Sequence, residues 1–249
     1  MEEVQTQIDE LRRKIEYHSN RYYNMDDPEI TDYEYDMLMQ QLKKIEKEHP
    51  EFVTPDSPAK RTAGVLVRHN VPMLSLQDVF SKEEVYAFVE EMQQQLEHPE
   101  FVVEYKIDGL SMALRYEDGA LKLAVTRGDG IIQGEDVTAN AKVIHDVKKK
   151  MKDPLPYIEI RGEVYMKNAD FEKVNETQEM LGKKTFANPR NCAAGTLRQL
   201  DSSITKQRNL SMFIFNVQEV RGREFKTHVE GYEYLKKQGV PVINDYRVC

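Results

Sequence analysis

The chain has 249 residues, with 35 Lys and Arg against 43 Asp and Glu, for a net charge of −8. That length allows one large domain or a large and a small one. A 40% hydrophobic content supports a real core, and 31% charged residues give a soluble surface. No run approaches the roughly 20 apolar residues of a membrane span, and Met1-Glu2-Glu3-Val4 lacks a signal-peptide pattern. Two cysteines, Cys192 and Cys249, make neither a disulfide framework nor a zinc site. A reducing, cytoplasmic setting is therefore expected, with no membrane partner. The average charge also speaks against a nucleic-acid protein.

Its distribution says something else. Residues 1–60 hold 8 basic and 15 acidic side chains, a net of −7, whereas the remaining residues are close to neutral. Between Lys183 and Arg208 six basic residues face a single acidic one, Asp201.

In chain order, Ile8, Leu11 and Ile15 recur at helical spacing, as do Leu38, Leu42 and Ile45, so residues 1–49 predict two helices. Asp26-Asp27-Pro28 breaks them, and Thr31 or Asp32 is the expected cap of the second. Pro50, Pro55 and Pro58 mark a linker, which divides the chain into 1–62 and 63–249. Strand patterns follow at Phe101–Ile107 and Leu110–Tyr116, and the latter folds back through Glu117-Asp118-Gly119 as a hairpin. Tyr157–Met166 and Met212–Val217 predict further strands. Asn168–Leu181 and Thr227–Lys237 predict helices, the second closed by Gly239 and Pro241. Without βαβ alternation, the expected class is α+β with largely antiparallel sheets.

The chemistry gathers around Glu104-Tyr105-Lys106-Ile107-Asp108-Gly109. A lysine becomes a nucleophile when burial or neighbouring cations lower its pKa, and attack at phosphorus needs cations on the phosphate oxygens. Asp108 could hold the lysine or a metal, and Gly109 permits close backbone approach. Alone, Lys-x-Asp-Gly reads more readily as an edge-strand lysine before an ordinary turn. Downstream, Thr126-Arg127-Gly128-Asp129-Gly130 can present a guanidinium to phosphate or ribose. In Glu159-Ile160-Arg161-Gly162-Glu163, alternation puts Glu159, Arg161 and Glu163 on one side of a strand.

This ordered set resembles the covalent nucleotidyltransferases, and among them the bacterial NAD+-dependent DNA ligases. The resemblance includes Pro72-Met73-Leu74-Ser75-Leu76, Gly134-Glu135-Asp136-Val137-Thr138, Phe186-Ala187-Asn188-Pro189-Arg190-Asn191 and Ala193-Ala194-Gly195-Thr196-Leu197-Arg198-Gln199-Leu200-Asp201. It implies a helical hairpin that clamps nicotinamide mononucleotide through Tyr22, Tyr23, Asp32, Tyr35 and Asp36, with Tyr23 where some members carry histidine. It further implies a nucleotidyltransferase domain of ATP-grasp-like, largely antiparallel architecture that stops short on its C-terminal side. Lys106 would be the nucleophile, aided by Asp108. Ser75, Leu76, Glu104, Arg127, Glu163 and Phe215 would hold adenosine, with Glu104 beside the base and Phe215 stacked on it. Arg190 and Arg198 would meet the nick in duplex DNA. NAD+ and Mg2+ are the implied cofactors, and a monomer is expected. The Gly130-Ile131-Ile132-Gln133-Gly134 loop is one residue longer than usual and apolar.

The resemblance also defines what is missing. The family's two later lysine motifs, its oligonucleotide-binding barrel, zinc module, helix-hairpin-helix array and BRCT domain do not occur in these 249 residues. The chain is therefore expected to be an amino-terminal part of a ligase. A nicotinamide-nucleotide-binding module without catalysis is the alternative. An ATP-dependent ligase or capping relative is disfavoured, because it would leave Tyr22 and Tyr35 without a role.

Overall fold

The computed structural model describes residues 2–21, 29–30, 32–54, 57–58, 65–74, 76–128, 130–199 and 201–249. Helices α1 (Glu2–Asn20) and α2 (Asp32–Glu48) are followed by a 3-10 turn at Pro50–Phe52. Ile8, Leu11, Ile15 and Leu42 form the seam between the two helices, as their helical spacing predicts, joined by Met39, while Leu38 and Ile45 are only partly buried against it. Beside the seam, Arg12 Nη2 lies 2.6 Å from Glu46 and also donates to the Phe52 carbonyl. Ser57 donates to the same carboxylate, so one buried glutamate ties both helices to the exit of the pair. Asp32 is already helical, whereas Thr31 lies outside the described residues.

Next come β1 (Leu66–Arg68), α3 (Lys82–Gln95), β2 (Val102–Glu104), β3 (Leu110–Glu117), β4 (Ala120–Thr126), β5 (Gln133–Glu135) and α4 (Thr138–Ala141). The chain continues through β6 (Tyr157–Tyr165), α5 (Asn168–Met180), α6 (Pro189–Leu197), α7 (Ser202–Gln207), β7 (Ser211–Arg221), α8 (His228–Gln238) and β8 (Tyr246–Val248). Four strands make an antiparallel sheet in the order β4-β3-β6-β7, and β1-β5 and β2-β8 form two small antiparallel pairs.

The predicted hairpin turns at Asp118 and Gly119, both at positive φ (46° and 75°), as a two-residue turn matched to strand twist requires. Helix α8 is capped by the Thr227 side chain and closed by Gly239 at φ 75°, as its sequence predicts.

Parity divides the sheet. Even-numbered Met112, Leu114, Tyr116, Ile158, Ile160, Val164, Met212 and Ile214 enter one core with Leu235 of α8. Odd-numbered residues share the other face, where Ser111 is paired with Glu163, Ala113 with Arg161 and Arg115 with Glu159. On the core face, Gly162 allows β6 and β7 to meet, because a Cβ would stand 2.4 Å from the Phe213 carbonyl oxygen and 2.7 Å from Ile214 Cδ1 and Met212 Cε.

One strand differs from expectation. The β-rich run Phe101–Ile107 is a strand only over β2, since its partner β8 extends no further than Tyr246 opposite Glu104. Lys106 therefore sits in a loop between β2 and β3, not at the end of a strand.

Candidate nucleotidyl-transfer site

The Tyr105–Gly109 loop is pressed onto the sheet at Gly109. A Cβ there would stand 2.1 Å from the Val164 carbonyl oxygen, so the close approach made by this glycine is to its own β6. Lys106 and Asp108 are exposed on the loop. Arg190, on the first turn of α6, reaches within 4.0 Å of Asp108. It is delivered there by Asn188, which caps α6 by accepting from the Asn191 amide, and by Pro189 at the first helical position.

Glu163 lies beside this group and accepts a 2.8 Å hydrogen bond from Ser111. Burial pushes its carboxyl above the usual range, opposed by the Ser111 bond and by the charges of Lys106 and Arg190. Lys106, Asp108, Glu163 and Arg190 are thus brought together from a loop, a strand and a helix.

A second group surrounds Arg127. The Arg127–Gly130 turn is held to the Pro72–Leu74 segment, where the Met73 amide donates to the Gly130 carbonyl at 2.7 Å. His69 Nε2 lies 2.9 Å from the Arg127 carbonyl and must donate, since a carbonyl only accepts. Arg161, 8% exposed, donates to the Leu74 carbonyl and lies 6.0 Å from the Phe215 ring centroid. Burial, and then the nearby Arg127 charge, lower the Arg161 pKa. Two guanidiniums therefore face one region, with an aromatic ring beside them. Leu76 is exposed, and Ser75 lies outside the described residues.

Glu104 and Phe215 share a partner that sequence reading did not single out. The Tyr232 hydroxyl of α8 lies 2.8 Å from Glu104 Oε2 and 3.0 Å from the Phe215 carbonyl oxygen. Phe215 is half-buried and stands outside the main core cluster. Nothing in the sequence flags Tyr232 except its place within the predicted helix. Ser111 and His69 were likewise missed, and only their fall on the odd-numbered face or beside a motif points to them.

Arg198 does not join the Lys106 group through any described contact. Its Nε lies 2.8 Å from Glu135 of β5. In the helical pair, Tyr35 is half-buried and packs against the seam. Asp32 and Asp36 lie four residues apart on α2, so they share a helix face. Their side chains, and Tyr22 and Tyr23 entirely, lie outside the described residues.

A lysine with carboxylates and arginines converging on one face of an antiparallel sheet can supply a nucleophile and offset charge on a phosphoryl group. Residues 63–249 match the family described as the NAD-dependent DNA ligase adenylation domain, and residues 1–63 match a DNA ligase-like, N-terminal NAD+-binding domain. Similar proteins named DNA ligase include that of Clostridium kluyveri, 52% identical over 99% of this chain and 38% of its own length. Another is that of Thermoanaerobacter sp. (strain X514), 50% identical over 97% of this chain and 37% of its own. That of Clostridioides difficile is 44% identical over 99% and 37%. The chain belongs to the NAD-dependent DNA ligase family. It spans somewhat over a third of the length of these relatives. Among the described residues, no helix is long and apolar enough to cross a membrane.

Proposed function

We propose that this chain supplies the nucleotide-handling part of an NAD+-dependent DNA ligase, in which Lys106 takes up AMP. The observation that supports this best is the meeting of Lys106, Asp108, Glu163 and Arg190 on a sheet face that also carries Arg127, Arg161 and Phe215. The unprotonated Lys106 Nζ attacks the α-phosphorus of NAD+. A phosphorus–nitrogen bond forms, the bond to the nicotinamide-side phosphate oxygen breaks, and nicotinamide mononucleotide leaves. The lysine gives up its proton, and the product is a lysyl-AMP phosphoramidate. In the whole protein, AMP then passes to a DNA 5′-phosphate, and the nick's 3′-hydroxyl displaces it as the phosphodiester bond forms.

Each group has a role in this reading. Arg127 and Arg161 offset the charge developing on the phosphate oxygens. Glu163 meets the ribose, Glu104 meets the adenine, and Phe215 stacks on it with Ser75 and Leu76 nearby. Tyr22, Tyr23, Asp32, Tyr35 and Asp36 hold the nicotinamide half by ring stacking and by attraction to its cationic ring. Arg190 and Arg198 meet the phosphates of the nicked duplex.

Mg2+ ordinarily takes one or two carboxylates and completes its shell with water and phosphate oxygens. Among the described residues no group of three or more His, Cys, Asp or Glu side chains is poised to hold a metal. Asp108, exposed on its loop, fits the lighter requirement. Bound there, the ion would neutralise charge on the α-phosphate.

Intact-mass measurement tests the reading. A chain continued to the length of its relatives gains one AMP from NAD+ and none from ATP, and Lys106→Ala gains none. Labelling by ATP, or an adduct that survives Lys106→Ala, would overturn it. The 249-residue chain alone forms little adduct, because the family's later lysine motifs do not occur in it.

A further inference from the structure

We propose that Tyr232 is a positioning residue for purine recognition: its buried hydroxyl fixes the direction of the Glu104 carboxylate, which then reads the exocyclic amine of adenine. The proposal rests on the assignment of Glu104 to the base.

The geometry leaves the hydroxyl little choice. Tyr232 is fully buried, and its ring is held between His228, with centroids 4.4 Å apart, and Tyr246, at 5.6 Å. Its single proton faces two acceptors, Glu104 Oε2 at 2.8 Å and the Phe215 carbonyl oxygen at 3.0 Å. The charged acceptor makes the stronger bond, so Oε2 takes the proton, with the Phe215 carbonyl within reach of the same donor. Burial and the neighbouring Glu104 raise the phenol well above the ordinary tyrosine value, which keeps it a donor at working pH. His228 Nε2 approaches the same oxygen at 3.9 Å.

Oε2 is thus committed on the protein side, and Oε1 remains for the base. A carboxylate held this way only accepts. It suits the donor amine of adenine and opposes the acceptor O6 of hypoxanthine, and a site built around such a bond discriminates strongly. Because the same hydroxyl reaches the backbone of Phe215, the edge-reading residue and the proposed stacking residue are fixed to one point on α8.

Calorimetric titration of the 249-residue chain with AMP, IMP and nicotinamide mononucleotide tests this. Wild type favours AMP over IMP by at least about tenfold. Tyr232→Phe brings that ratio to within about threefold of unity, while nicotinamide mononucleotide affinity is unchanged, since it belongs to the helical pair. A Tyr232→Phe protein that keeps the wild-type ratio, even with both affinities lowered, overturns the proposal and leaves the Glu104 assignment standing. A wild type with no AMP preference, or no binding of either nucleotide, removes the Glu104 assignment and the proposal with it. Glu104→Gln serves if Tyr232→Phe does not fold. There the Tyr232 hydroxyl donates to the amide oxygen and turns the amide NH2 toward the base, so preference reverses to IMP. Continued preference of Glu104→Gln for AMP overturns the orienting role.

Discussion

Arg198 Nε lies 2.8 Å from a Glu135 carboxylate oxygen, with 28% and 17% of the two side chains exposed. The arginine proposed to meet DNA phosphate is therefore already paired with an acid of β5. A partly exposed ion pair contributes about 1 kcal/mol or less, so a phosphate can displace it. Glu135→Gln should release Arg198 and raise affinity for a nicked duplex by about two- to fivefold at low salt. Arg198→Ala should weaken binding and reduce the slope of log K against log salt by about one. Anisotropy titrations over a salt series measure both, and an unchanged slope in Arg198→Ala would remove that residue from the interface.

Arg115 and Glu159 are a buried counterpart. Arg115 Nε donates to Glu159 at 2.7 Å, with side chains 9% and 0% exposed. Tyr157 donates to the same carboxylate oxygen, and Arg115 Nη2 holds the Arg68 carbonyl of β1. Removing one partner strands the other charge in the interior. Glu159→Ala should cost about 3–5 kcal/mol in urea unfolding, whereas Arg115→Met with Glu159→Leu should be close to neutral. A loss below about 1 kcal/mol in Glu159→Ala would mean that water reaches Arg115.

Gly109→Ala should separate folding from chemistry. Its Cβ would meet the Val164 carbonyl oxygen at 2.1 Å, and the exposed loop can yield more readily than the central strand. Stability should fall by about 1–3 kcal/mol. Adduct formation by the chain continued to full length should fall at least about 100-fold, because Lys106 is displaced from Glu163 and Arg190. Urea titration and timed intact-mass measurement give the two numbers. A variant with near-normal adduct formation would show that loop placement does not depend on this contact.

How far the sequence carried these assignments depended on the physics at each place. Period-2 alternation in Glu159–Glu163 put three polar residues on one face, and the register to β3 keeps them there. The Asp118-Gly119 turn and the Thr227 and Gly239 caps are local devices, so local reading found them. Helix α3 was missed although Ser81 and Glu84 form its start, with the Ser81 side chain accepting from the Glu84 amide and Glu84 reaching back to the Phe80 amide. Its apolar residues are mostly exposed and give no clean stripe. The short extent of β2 depends on β8, more than 140 residues away, and no local signal reports that. The Tyr232–Glu104 contact spans 128 positions and was illegible for the same reason. Residues in and beside the motifs prove to build the scaffold. Asp136 caps the turn into α4 through Thr138, and Asn140 holds the Leu197 and Gln199 carbonyls.

Cys192 gives the last prediction, a dependence of stability on pH. Both cysteines are free; Cys192 is buried and Cys249 exposed. Burial pushes the Cys192 thiol from its ordinary 9.0 up to about 11, against smaller opposing effects of Arg208 and Thr196. The thiolate is the reactive form, so iodoacetamide at neutral pH should modify Cys249 and leave Cys192 untouched until the chain unfolds. The same shift links folding to protons. Between pH 9.0 and about 11 the unfolded thiol has lost its proton and the folded one keeps it. The folded state then binds more protons, so stability falls as pH rises. This contribution is fully present below pH 9.0 and is lost as pH climbs toward 11, with a total on the order of 3 kcal/mol. Buried tyrosines, Tyr157 among them with a phenol raised to about 12, act in the same direction at higher pH. Cys192→Ala isolates the thiol: its urea midpoint should fall less than that of wild type between pH 8 and pH 11, values chosen at about one unit below the free thiol and near the buried one. Equal falls in the two proteins would show that Cys192 titrates as though exposed.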